Sequence, residues 1–284
     1  MMTRNAMPLV DCHFHLFDAA AGMPAARYRP AYAARIEDWQ RLLAPLGSLL
    51  YGVVVQTSFL GTDNAALLAA LRASAGRLRG VAVVDPSVTD DALAAMQAAG
   101  VRGIRLNLFG DPGWARIGTA PWRALFARVA ALGWHVELHT GNGQGGTLLA
   151  ALDAALGHCP APVVLDHFGR PGAEGSRDAV FEVAARTLLR RQVWVKLSAP
   201  YRLPPGTDWR SLAGAWSRLV GQDRLLLGSD WPWTNHESAA RADECAALFG
   251  WPCEPGAGGD APRDRGFAES LRWRNAAALY RFDL

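Results

Sequence analysis

Eight short apolar runs, each bounded by turn-forming residues, alternate with longer helical patterns along this chain. They are Leu9–Phe17, Gly52–Ser58, Gly80–Pro86, Val101–Leu108, His135–Thr140, Val163–His167, Val193–Ser198 and Leu225–Trp231. All are rich in Val, Leu and Ile, as strands covered on both faces must be. Helices are predicted from Asp63-Asn64 to Gly76, from Thr89 to about Gly100, and from Thr119, with Pro121 in the first turn. Further helical patterns cover 145–157, 177–191, 208–220 and 237–249, and a last one runs from about Phe267 to Tyr280. Eight strand–helix alternations in 284 residues predict an α/β fold, a (β/α)8 TIM barrel forming one domain over residues 1–284. A doubly wound open sheet is the rival, but no GxGxxG follows the first run. Two stretches read as long loops, Phe17–Ile36 and Gly250–Gly266.

Composition narrows the function classes. Half the residues are hydrophobic and 19% are charged, enough for one large core. No apolar run approaches the roughly 20 residues that cross a bilayer, and the first residues lack the apolar stretch of a secretory leader. Net charge is +3, with arginines dispersed, so neither nucleic acid nor a membrane surface is an expected partner. Cys12, Cys159, Cys245 and Cys253 match no zinc-ribbon or disulfide spacing, and a cytoplasmic protein is expected. The sequence is compatible with a homo-oligomer and leaves that point open.

In a parallel barrel the active site lies at the C-terminal strand ends. Those ends are unusually polar here: Asp11-Cys12-His13-Phe14-His15, Gln56-Thr57-Ser58, Arg105-Leu106-Asn107, Glu137-Leu138-His139, Asp166-His167, Lys196 with Ser198, and Ser229-Asp230. The strand period of two turns His13 and His15 to one side, inward, and sends Cys12 and Phe14 toward the helices. His135 begins its strand and belongs at the barrel bottom. His13, His15, His139 and Asp230 converge from three strands, a donor set that suits one zinc- or manganese-like ion with an open position for water. Asp230 would take the water proton, and His167 would polarise or protonate the substrate oxygen. Arg105 and Asn107 cannot bridge cations, so zero or one metal is expected rather than two. Without a metal, the histidines and arginines would polarise a carbonyl directly.

The runs VDCHFHLFD, VVVQTSFLGTDN, VRGIRLNL, VVLDHFGRP, VKLSAPYRL and LLLGSDWPWTNHE resemble the amidohydrolase superfamily. The likeness is to its amidohydrolase-related branch of barrel hydrolases, which includes pyrone-dicarboxylate and sugar lactonases, and it extends from the first strand to the eighth. The resemblance implies an HxH at His13 and His15, His167 after strand six and a water-activating Asp230. It also implies substrate-binding roles for Ser58, Arg105 and Arg202; Asn107 and Trp231 are added as pocket-lining expectations. Two features depart from the pyrone lactonase pattern. His139 stands where that pattern has a tyrosine, and no second arginine follows Arg105, where Asp111 lies instead. A mono-anionic or neutral lactone therefore fits better than a dicarboxylate. The expectation is a hydrolase of a small lactone or related cyclic ester. A metal-dependent nonoxidative decarboxylase is the alternative, and a non-catalytic binder comes third.

Overall fold

The computed structural model describes residues 7–23, 26, 28–238, 240–253 and 265–284. Its eight strands are β1 (Pro8–Phe14), β2 (Leu49–Val55), β3 (Leu78–Ala82), β4 (Val101–Asn107), β5 (His135–His139), β6 (Val163–Leu165), β7 (Val193–Ser198) and β8 (Leu225–Gly228). They pair in parallel and in sequence order. The ring closes just past the end of β8, where Phe14 bridges Trp231 and the Asp230 N–H donates to His13 O at 2.7 Å. This is the expected (β/α)8 barrel. Among the described residues no helix is long and apolar enough to cross a membrane.

The helices that cover the barrel are α1 (Ile36–Leu43), α2 (Ala65–Ala73), α3 (Asp90–Ala99), α4 (Ala120–Ala131), α5 (Gly145–Leu156), α6 (Ala179–Leu188), α7 (Trp209–Val220) and α8 (Ala240–Gly250). The last stretch is α9 (Arg265–Glu269), a π-helical turn over Ser270–Arg274, and α10 (Asn275–Tyr280). Capping explains several boundaries. The Thr89 hydroxyl accepts from Ala92 N, and Gly100 ends α3 at φ 109°. Asn64, expected to cap α2, instead ties its amide to Thr62 O, Val83 O and Val83 N, so it locks the end of β3. Asp63 caps α2 in its place, accepting from Ala65 N at 3.1 Å. The loop expected over Gly250–Gly266 lies largely outside the described residues.

Helix α1 follows the predicted loop Phe17–Ile36 and carries no extended apolar pattern. Two buried residues one turn apart, Trp39 and Leu43, anchor it. Trp39 stacks on Phe14 at 4.3 Å and donates Nε1–H to Asp11 at 2.8 Å.

The barrel interior is filled from several strands at once. Val10, Val53, Val55, Val81, Val164 and Leu226 pack together with Cys12, and Tyr280 joins them. The Tyr280 ring meets the His135 ring edge-on at 5.3 Å, so His135 belongs to this layer, as expected. Cys12 does not follow the expected parity. The β1–β2 register slips between Asp11 and Phe14, and this bulge turns both Cys12 and His13 inward while Asp11 faces Trp39.

Candidate active site

The polar residues gather where the strands end, and the backbone there is unusual. Strands six and eight stop earlier than their apolar patterns, at Leu165 and Gly228. His167 (φ 51°) and Asp230 (φ 56°) adopt left-handed conformations that break the extended run. Non-glycine residues at positive φ carry strain that surrounding contacts must hold, and such positions concentrate at functional sites.

Asp11 supplies one such hold. Its carboxylate accepts from His13 N (3.1 Å), Ser229 N (2.8 Å), Ser229 Oγ (2.6 Å) and Trp39 Nε1 (2.8 Å). It therefore ties the end of β1 to the residue before Asp230. Gly228 gives His13 its room, because a Cβ there would lie 2.7 Å from His13 Cβ.

Asp230 sits at the centre. Its Oδ2 accepts from Tyr201 Oη at 2.5 Å and from Arg202 Nε at 2.7 Å. Its Oδ1 is buried without a hydrogen-bond partner. Three imidazole Nε2 atoms surround that oxygen: His13 and His15 at 3.5 Å, His167 at 3.9 Å. The His15 Nδ1–H donates to Val55 O at 2.7 Å, which leaves the lone pair on Nε2. His167 Nδ1 lies 2.8 Å from Ser198 Oγ.

A second layer lies beneath. Arg105 donates to Asp166 Oδ2 through Nε (3.0 Å) and Nη2 (2.8 Å), and through Nη1 to Gln56 O at 3.3 Å. Lys196 Nζ lies 2.5 Å from Glu137 Oε2. His139 Nδ1 faces Asp166 Oδ2 at 3.8 Å, and its ring lies 5.1 Å from that of His167.

Charge follows from burial and these neighbours. Burial pushes the imidazole of His13 down to about 4, helped by Lys196. Burial also holds His139 and His167 well below the usual histidine range. Burial alone would raise the Asp230 carboxyl, but Arg202 above all, then His167, holds it well below the usual carboxylate range. Asp166 behaves likewise, with Arg105 foremost against burial. At neutral pH the site thus combines the neutral imidazoles of His13, His139 and His167 with an ionised, half-satisfied carboxylate.

These shifts make stability depend on pH. Unfolded, each histidine binds a proton near 6.5; folded, His13, His135, His139 and His167 bind theirs at lower pH because burial opposes the charge. Below pH 6.5 the unfolded chain therefore holds more protons, and stability falls as pH drops, for His13 through a window ending at about 4. Asp11, raised by burial, works in the opposite sense, but it is one group against four. The melting temperature is expected to fall by roughly 5 °C or more between pH 7 and pH 5. A flat calorimetric profile over that range would contradict the buried neutral histidines.

The structure brings His13, His15, His167 and Asp230 together. The ligand atoms of His13, His15 and Asp230 lie within 4.8 Å of one another, and a second such group is His13, Asp166 and His167; either could hold a metal ion. His139 belongs to neither group. Arg202 reaches the site through Asp230, and Arg105 is spent on Asp166. Ser58 is exposed at the start of a 3-10 turn after β2, and Asn107 is half-buried at the end of β4. Trp231 is buried in the main apolar cluster. Strand patterning in the sequence does not mark Tyr201 or Arg170. Arg170 donates Nε–H to Asn142 Oδ1 at 2.6 Å and stands 5.6 Å over the Phe109 ring. Both lie in loops past a strand end, where strand periodicity no longer sorts side chains. Their only signal was adjacency, in Tyr201-Arg202 and in His167-Phe168-Gly169-Arg170.

Neutral imidazoles around a poised carboxylate, at the C-terminal rim of a parallel barrel, define an enzyme site built to handle water and protons. The amidohydrolase family model matches residues 10–282, and the chain belongs to that family. It is 33% identical over 247 residues to the 2-pyrone-4,6-dicarboxylate hydrolase of Comamonas testosteroni, covering 80% of this chain and 77% of that protein. It is 29% identical over 246 residues to the 4-sulfomuconolactone hydrolase of Rhizobium radiobacter, covering 84% and 80%. A crystal structure of a probable 2-pyrone-4,6-dicarboxylic acid hydrolase from Acinetobacter baumannii with citric acid bound superposes with a TM-score of 0.82 at 29% identity, over 96% of this chain and 99% of that one. A dihydroxybenzoic acid decarboxylase from Polaromonas sp. JS666 is more distant, at 15% identity and a TM-score of 0.67 over 98% of both chains, and shares the fold alone. The relatives favour the hydrolase expectation over the decarboxylase one.

Proposed function

We propose that this protein hydrolyses a small lactone, neutral or carrying one anionic group, with Asp230 as the general base. The observation that carries this is the asymmetry of the Asp230 carboxylate: Oδ2 is held by Tyr201 and Arg202, while Oδ1 is buried, unpartnered and ringed by imidazoles. Oδ1 takes the proton of a water molecule as its oxygen bonds to the lactone carbonyl carbon. Imidazole N–H groups of His13 and His167 donate to the carbonyl oxygen as it gains negative charge. The tetrahedral intermediate collapses with cleavage of the ring C–O bond. The proton on Asp230 then passes to the leaving oxygen, giving a hydroxy acid and restoring the carboxylate. Arg170 and Arg202 supply positive charge for an anionic substituent. Ser58, Asn107 and Trp231 are assigned to the pocket wall, and His139 to its floor.

In the group nearest the proposed base, a divalent ion such as zinc or manganese would take His13, His15 and Asp230 as ligands. His15 and Asp230 offer bare atoms, but His13 Nδ1 faces the Lys196 ammonium at 3.2 Å, which places the His13 proton on Nε2. An imidazole nitrogen that carries a proton cannot ligate. With the His13 proton on Nε2, this set of His13, His15 and Asp230 does not fit a three-ligand ion, and no step above uses one. Turnover is expected to survive exhaustive dialysis against a chelator; loss that zinc or manganese restores would return these residues to a ligand role. The activity itself is tested on a panel of mono-anionic and neutral lactones, followed by proton release. Ring opening with one proton per turnover supports the proposal, whereas carbon dioxide release from an aromatic acid would replace it with the decarboxylase.

A further inference from the structure

Lys196 is the only lysine of the chain, and no proposed step uses it. It lies within β7, wholly buried, with Nζ 2.5 Å from Glu137 Oε2, 3.7 Å from Asp166 Oδ1 and 3.2 Å from His13 Nδ1. An ammonium has protons to give and no lone pair to accept one. Its contact with Nδ1 is a hydrogen bond only if that nitrogen carries the lone pair. The competing arrangement would have His13 donate Nδ1–H to Asp166. The distance allows it, at 3.2 Å, but an Nδ1–H would then also stand 3.2 Å from the ammonium, hydrogen facing positive charge. The other His13 nitrogen, Nε2, is also buried without a partner and lies 3.5 Å from Asp230 Oδ1.

We propose that Lys196 is a positioning residue that locks His13 in its Nε2–H tautomer, making His13 a hydrogen-bond donor and closing a latent metal site formed with His15 and Asp230. Glu137 is the counter-ion that fixes Nζ in place. Without the ammonium, His13 is free to put its proton on Nδ1, turn it toward Asp166 and bare Nε2. The three atoms already within 4.8 Å of one another then become a complete ligand set. The proposal rests on the hydrolase reading only for the use made of the Nε2 proton.

Turnover enters neither readout of the test, so a wrong substrate class leaves it standing. The first readout is the His13 tautomer in chelator-treated full-length protein with 15N-labelled histidine, read from long-range 1H–15N correlations and assigned with His13→Gln. The expected proton is on Nε2; a proton on Nδ1 overturns the proposal. The second readout uses Lys196→Met, and Lys196→Met with Glu137→Gln so that no carboxylate is stranded in the interior. In either variant the proton is expected to move to Nδ1, and zinc is expected to bind at least about tenfold more tightly than to the wild type. An unmoved proton, or equal zinc affinity, overturns the proposal. Should both variants fail to fold, the wild-type spectrum alone decides.

Discussion

Asp230→Asn is expected to lower kcat by about 10²- to 10⁴-fold, the range typical of a lost general base. The fold should survive the change. An amide oxygen in place of Oδ2 still accepts from Tyr201 and Arg202, which also keeps its bond to Thr234 O at 3.0 Å. The amide NH2 then occupies the Oδ1 position, where the His15 Nε2 lone pair accepts it, because His15 Nδ1 is committed to Val55 O. The ability to take a proton from water is lost, and with it the charge that pairs with Arg202. Steady-state kinetics on the best lactone, with calorimetry on the same preparation, separates chemistry from stability. A variant that still folds and keeps more than a tenth of its kcat would remove Asp230 from the role of base.

How far this site could be read from sequence depends on which physical rule each residue obeys. Barrel class followed from strand count and apolar covering, because a parallel sheet buried on both faces leaves runs that no half-exposed strand imitates. His13, His15 and Asp230 were legible because polar residues at the ends of such runs are costly anywhere but a polar cavity. The limits were local. Nothing in Val163–His167 announces that His167 turns left-handed and ends the strand two residues early. The bulge after Asp11 overrides the two-residue period and turns Cys12 inward against the pattern. Helix α1 is only eight residues long and fully buries just Trp39 and Leu43, too short a stretch for a periodicity to stand out.

Roles were harder to read than positions. A sequence places Lys196, Glu137, Asp166 and Arg105 on strands but not their partners, and the partners decide what each can do. Arg105 reads as a mouth arginine free to bind a carboxylate. In the structure its Nε and Nη2 are both given to Asp166. Tyr201 lies just past β7, and only the approach of the β7 and β8 loops puts its hydroxyl on Asp230.

Arg105→Met therefore separates two accounts of that arginine. A residue that only bound substrate would raise KM and leave the melting temperature unchanged. The contacts require a different result. Asp166 is wholly buried, and Arg105 is the chief neighbour opposing its desolvation. Removing one partner of a buried ion pair costs about 3–5 kcal/mol, because the remaining charge is left without its counter-ion. For a domain of this size that corresponds to a melting temperature lower by roughly 10 °C. Replacing both partners, with Arg105→Met and Asp166→Leu together, is expected to recover most of the loss, since no stranded carboxylate remains. The double variant should nonetheless turn over poorly, because His13 and His139 both lose a carboxylate neighbour at 3.2 and 3.8 Å. If the single variant melts with the wild type and only its KM rises, the Asp166 pair is not what Arg105 is there to make, and the guanidinium belongs to the substrate.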